Sequence, residues 1–252
     1  MRFISRLIAL ALVTAAGAGA IAADLKVLSA GAIKPVIAGA LPQFERSTGH
    51  KVVIENDTAG GLLRRVRAGE HFDLLVMPLP GLQQLASEGV VPGAGVVPLA
   101  KVGIGVAVKQ GAPLPDISSS AAFRHALLSA RAVAYIDPAA GGSSGIYLAQ
   151  LFERMGIAAQ IAPKAVLVPG GLVAQRLVSG EADLAVHQIS EILAVPGVTL
   201  VGAIPADVQN YTVYAAAVSA QSTQVEAAQQ LLTLLAGAQL RTQFAPLGME
   251  AP

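Results

Sequence analysis

Two spacings of apolar residues alternate along the chain. Short continuous apolar runs read as buried strands, and longer stretches with apolar residues three and four apart read as helices. Leu25–Ser29, Lys51–Glu55 and Asp73–Met77 are predicted strands; Ile33–Gly49, Gly61–Ala68 and Leu82–Gly89 are the helices that follow them. Val102–Val108 is a longer, β-branched strand, after which the rhythm restarts. Helices are predicted at Ala121–Leu128, Gly145–Met155 and Leu172–Gly180, and strands at Ala132–Ile136, Lys164–Val168, Leu184–His187, Val198–Ala203 and Val213–Val218. An amphipathic helix from Gln224 to about Leu235 closes the pattern. Strands alternating with helices imply parallel sheets with crossover helices on both faces. Val102–Val108 and Val213–Val218 are the candidates for strands that cross between two lobes. On that reading, residues 23–104 and 206–252 form a discontinuous first lobe and 105–205 the second.

The amino terminus departs from this rhythm. Arg2 and Arg6 precede an uninterrupted small and apolar run from Leu7 to Ala22 that ends Ala20-Ile21-Ala22. A positive start, an apolar middle and a small-x-small end predict an export signal at 1–22, cleaved near Ala22. No later segment reaches the ~18 uncharged apolar residues of a spanning helix, so the mature protein is not expected to span a membrane.

Composition narrows the function classes. Hydrophobic residues make up 54% and charged residues 13% of the 252 residues, which fits a well-packed globular protein and not a disordered one. Without Arg2 and Arg6 the 17 basic residues become 15 against 16 acidic, a formal charge of −1. No basic stripe for nucleic acid survives, and with no tryptophan there is little to stack bases on. Cysteine is absent, which removes thiol nucleophiles, zinc–thiolate sites, iron–sulfur clusters and a lipid-anchoring cysteine. An exported protein without disulfides suits a Gram-negative periplasm.

The candidate chemistry lies in four turns between predicted strands and helices: Ser29-Ala30-Gly31-Ala32, Thr58-Ala59-Gly60-Gly61, Gly141-Gly142-Ser143-Ser144-Gly145 and Pro169-Gly170-Gly171. In an open α/β sheet, ligands bind beyond the carboxyl ends of the strands, where such turns sit. A helix N-terminus presents unpaired N–H groups and a partial positive charge; glycine admits a close approach, and Ser or Thr adds a hydroxyl. Together they make an anion site without a metal. Neither GxxxxGK[ST] nor G-x-S-x-G occurs, so nucleotide hydrolysis and a serine-hydrolase elbow are not indicated. His50, His71 and His125 are scattered without metal-ligand spacing.

The order Leu25-Lys26-Val27-Leu28-Ser29-Ala30-Gly31-Ala32, then Phe44, Thr48-Gly49 and Val52-Val53-Ile54, resembles the periplasmic molybdate-binding proteins of ABC importers. So do Arg67-Ala68-Gly69-Glu70 with Phe72-Asp73-Leu74-Leu75, and Val178-Ser179-Gly180-Glu181-Ala182-Asp183. The resemblance spans nearly the whole mature chain. It implies the type II periplasmic-binding-protein fold: two Rossmann-like lobes, two crossing strands and a ligand cleft between them. It also implies a monomer that hands a small anion to a permease and an ATPase, with no cofactor.

Members of that family hold the oxyanion with hydroxyls in the first two turns and a late tyrosine. Here Ser29 or the adjacent backbone suits the first role, Thr58-Ala59-Gly60-Gly61 replaces the second, and Gln188 stands where the tyrosine is expected. Each missing donor to a buried anion removes roughly 1.5–3 kcal/mol. An organic carboxylate is therefore expected over molybdate, bound by Ser29, Ala30, Gly31, Thr58, Ala59, Gly60, Gly142, Ser143, Ser144, Gly170, Gly171 and Gln188. The same family has an aconitate isomerase branch, which interconverts cis- and trans-aconitate, and an allylic proton shift needs a base, an acid and charge-stabilising donors. His187, Glu191 and Asp137 are the candidates for the proton work, and Lys34, Arg64 and Arg65 for steering a tricarboxylate. Each has a plainer role open to it: His187 as a core histidine, Ser190 and Glu191 at the first turn of a helix, and Asp137-Pro138 as a turn.

Overall fold

The computed structural model describes residues 22–252; the export signal read at 1–22 lies outside them except for Ala22. Strands β1 (Asp24–Ala30), β2 (Lys51–Asp57) and β3 (Leu74–Pro78) are linked by helices α1 (Lys34–Thr48) and α2 (Ala59–Arg67), and α3 (Leu79–Ser87) follows β3. β1 pairs in parallel with both β2 and β3. Strands β4 (Val97–Val102), β10 (Thr212–Val218) and β11 (Met249–Glu250) complete a sheet in the order β11-β4-β10-β3-β1-β2. Its core is aliphatic: Val27, Leu28, Leu74, Leu75 and Val76 are buried beneath Leu231, Leu232 and Leu235 of helix α9 (Val225–Ala236).

Strands β5 (Ile104–Lys109), β6 (Val133–Ile136), β7 (Ala165–Val168), β8 (Leu184–Gln188) and β9 (Val198–Ala203) form the second sheet, in the order β7-β6-β8-β5-β9. Side chains alternate across a strand, so the sheet has two unlike faces. Ile104, Val106, Val133 and Val186 meet Phe123 of α4 (Ser120–Ser129) and Leu148 and Phe152 of α5 (Ser143–Arg154). The opposite face carries Ala107, Ala134 and Ala185, and small residues there let α7 (Gln175–Val178) and α8 (Ile189–Leu193) lie close. Two four-residue helices, α6 (Ala158–Ile161) and α10 (Ala238–Arg241), finish turns. Among the described residues no helix is long and apolar enough to cross a membrane.

The fold is the two-lobed type II periplasmic-binding-protein fold; the first crossing lies in the apolar run expected to make it, and the second does not. The run Val102–Val108 is broken at Gly103, with β4 in one sheet and β5 in the other. The expected crossing strand Val213–Val218 lies wholly in the first sheet as β10, and the second crossing is the segment 204–211 before it. The reason is a pairing that apolarity does not encode. The Gln209 side chain accepts from Ile104 N–H at 2.8 Å and donates to Ile104 C=O at 2.9 Å, imitating a backbone partner between the two crossings. The helix expected at Leu172–Gly180 also shrinks to the single turn of α7. Replacing Gln209 with Met leaves the Ile104 amide without its partner. Urea denaturation is expected to show a loss of about 1–3 kcal/mol, and an unchanged midpoint would mean that the crossings do not depend on this pairing.

Candidate functional site

The carboxyl ends of β1, β2 and β3 face those of β6, β7 and β8 across a cleft of about 290 Å³. The four glycine- or serine-rich turns all reach it, but they are not equivalent. The third is an open helix start. Gly142 is the N-cap of the twelve-residue α5, and the N–H groups of Ser143 and Ser144 have no partner among the described residues. Gly145 makes this possible, since any Cβ there would overlap the carbonyl of Ile136 at the end of β6. The first turn is open in the same way at Gly31 and Ala32, which precede α1.

The second turn is closed. Asp57 Oδ1 accepts from Thr58 N–H at 2.7 Å, Thr58 Oγ1 accepts from Gly61 N–H at 3.0 Å, and Gly60 N–H donates to Gly141 C=O at 3.0 Å. The Thr58 hydroxyl proton goes to Ala140 C=O at 2.6 Å. The start of α2 is thus answered by the Thr58 hydroxyl and by Gly141 C=O of the other lobe, and Ala59 N–H is the remaining donor. Gly170 and Gly171 line the cleft from a loop and not from a helix start, because α7 begins only at Gln175.

At the end of β8 the chain places its titratable groups. His187 Nε2 lies 3.3 Å from Glu191 Oε2, with the two side chains 2% and 12% exposed. Burial pushes the imidazole down to about 3 and the carboxyl up to about 8. Both shifts have the cost of a buried charge as their cause, so near neutrality the imidazole is unprotonated, the carboxyl keeps its proton, and both groups are uncharged. Glu191 reaches the first lobe as well: a Cβ on Gly31 would stand 2.5 Å from Glu191 Oε1. His187 Nδ1 and Gln188 Oε1 are buried without a hydrogen-bond partner. The Gln188 amide donates to Ser143 Oγ and to Thr212 Oγ1, both at 3.1 Å, which ties α5 to β10 behind the cleft.

Tyr214 joins this group from the opposite lobe. It is buried on β10, lines the cleft, and its phenol is pushed up, by burial first. Sequence reasoning missed it, although it is the one polar aromatic in the run Val213–Val218. Asn56, Asp57, Pro78 and Ile136, at strand ends, were missed too.

Other expectations are corrected. Ser29 is fully buried and donates its hydroxyl to Ala30 C=O at 3.0 Å, because the strand continues through it. Asp137 accepts from Ala139 N–H at 2.9 Å, capping its own turn outside the cleft lining. Gly60 meets the other lobe and is not among the lining residues. Arg65 is engaged with Glu55 and Glu70 away from the cleft, while Lys34 and Arg64 are exposed. The lining contains no Lys or Arg. Among the described residues no group of three or more His, Asp or Glu side chains is placed to hold a metal ion.

Comparison with known proteins agrees with this geometry. Residues 25–250 match the bacterial extracellular solute-binding protein family. A protein of Pseudomonas sp. named aconitate isomerase is 38% identical over 218 residues, covering 84% of this chain and 82% of that one. The Azotobacter vinelandii periplasmic molybdate-binding protein superposes with a TM-score of 0.75 at 19% identity, covering 90% of this chain and 99% of that one. The Mycobacterium tuberculosis sulfate-binding protein SubI gives 0.74 at 18% identity, covering 91% and 87%. With the fold, the cleft and the match over residues 25–250 in agreement, this chain belongs to the bacterial extracellular solute-binding proteins.

Proposed function

We propose that the protein is a periplasmic isomerase that closes on aconitate and moves its double bond by an allylic proton shift. The observation that carries this reading is the buried His187–Glu191 pair opening on the cleft, an arrangement that binding alone does not require. The 38% identity to a protein named aconitate isomerase supports the substrate. The lobe built on the first sheet and the lobe built on the second close on each other about the crossings at Gly103 and 204–211.

The dyad supplies one base and one acid. Neutral His187 takes a proton from the methylene carbon, and the freed electron pair spreads over the three-carbon unit and its carboxylates. Glu191, protonated, returns a proton to the far carbon, and the double bond has moved across the central carbon. The imidazolium then passes its proton to the Glu191 carboxylate over the 3.3 Å between them, so the pair is restored and no proton is gained or lost. The unpaired N–H groups of Ser143 and Ser144 at the start of α5 stabilise the charge that develops on the carboxylate. Tyr214, across the cleft from the dyad, adds a donor. Ala30, Gly31, Ala59, Gly142, Gly170, Gly171 and Gln188 shape the rest of the surface. Molybdate fits less well, since the Thr58 hydroxyl already donates to Ala140.

The likeness to molybdate- and sulfate-binding proteins favours a second reading: a carrier of the same anion for a permease and an ATPase. Mutation separates the two. His187→Asn and Glu191→Gln are each expected to lower the interconversion rate by about 10²–10⁴, with aconitate affinity by calorimetry within a few-fold of wild type. Wild-type protein that binds aconitate without converting it would establish the carrier instead.

The pH dependence follows from the same pair. Glu191 donates only while protonated, so kcat is expected to fall as pH rises through about 8. Its stability effect has a definite sign. The carboxyl is raised from 4.5 to about 8, so its favourable contribution is complete below 4.5 and lost as pH climbs to about 8. Glu191→Gln removes that loss, and its melting temperature relative to wild type should increase across this window. A difference that stays flat across this window would mean that the Glu191 carboxyl is not raised.

A further inference from the structure

We infer that Gly60 and Gly141 are positioning residues: a backbone clasp between the lobes that sets how far the cleft closes and so where a ligand lies against His187 and Glu191. Gly60 is in the first turn of α2, which leaves the first sheet; Gly141 is in the turn after β6 of the second. They meet by main chain alone. Gly60 N–H donates to Gly141 C=O at 3.0 Å, and beside it the Thr58 hydroxyl donates to Ala140 C=O at 2.6 Å. A Cβ on Gly60 would lie 2.8 Å from Gly141 Cα, and one on Gly141 would lie 2.7 Å from Gly60 Cα. Both obstacles are backbone atoms, which cannot rotate aside.

The two glycines differ in an informative way. Gly141 has φ of 79°, so its turn favours glycine whatever the other lobe does. Gly60 has no positive φ and is a helical residue, where Ala is the better helix former. Nothing within α2 calls for glycine at position 60; the approach of the other lobe does. Its N–H, placed at a helix start where it would suit an anion, is directed at a carbonyl of the opposite lobe. Closure is thereby secured by protein–protein hydrogen bonds that are the same for every ligand the cleft of about 290 Å³ can enclose. A ligand that props Gly60 and Gly141 apart forfeits them.

This inference rests on the two-lobed clamp and not on the isomerisation chemistry, and the test keeps the two apart. Gly60→Ala and Gly60→Ser are compared with wild type by small-angle X-ray scattering, thermal melting and calorimetry. The probe is tricarballylate, a saturated tricarboxylate that cannot undergo the allylic shift, and aconitate turnover is read in parallel. The variants are expected to melt, unliganded, at or above the wild-type temperature while showing a larger radius of gyration. Their tricarballylate affinity should fall at least tenfold, and kcat should fall with it. A Gly60→Ala protein as compact as wild type, binding within twofold, would overturn the clasp. A melting temperature that falls in step with affinity would also overturn it, by making Gly60 a folding residue. Should wild type bind no tricarboxylate, the proposed function fails, and the unliganded scattering comparison still decides the clasp.

Discussion

Taking charge out of water is the cost around which the cleft is arranged. An isolated carboxylate or imidazolium at the depth of His187 and Glu191 is strongly unfavourable unless paired or neutral. A neutral imidazole 3.3 Å from a protonated carboxyl avoids that cost and leaves an acid beside a base. The neighbours follow from it. Gly31 lacks a side chain where the Glu191 carboxyl needs room, and Tyr214 approaches from the other lobe. The apolar strands β8 and β5 keep bulk water from the pair.

The absence of Lys and Arg from the lining has the same logic. A cation beside Glu191 would hold its carboxyl ionised and remove the acid. Peptide dipoles at the start of α5 attract an anion with fractional charge and no side chain to reorganise. The basic residues sit elsewhere: Arg65 braces Glu55 and Glu70, Arg67 pairs with Glu88, and Arg64 is exposed. Anion attraction and the proposed proton transfer can then share one small space.

Much of the architecture was legible because period and burial agree. Strand Val198–Ala203 and helices such as α1 and α4 fall within a residue or two of where their apolar spacing puts them. The positions of the glycine-rich turns were legible too, since strand, turn and helix recur in order. What each turn does with its donors was not. Thr58 and Gly60 look like ligand donors until the opposite lobe is present to accept from them. Tyr214 was hidden because β10 had been read as a crossing strand. Long-range pairing decided the roles of Thr58 and Gly60, and pattern along the chain carries no record of it.

The Gln209 side chain has a mechanical meaning. It fastens two crossings that lie 105 positions apart in sequence to one another, as neighbouring strands of a ribbon are fastened. A pair of loose tethers would let the halves slide, twist and separate independently. A stitched ribbon resists shear and bends mainly about the axis across it. Of the motions open to two bodies on two strings, one is left soft: a swing that carries the α5 end toward β1 along the same arc each time.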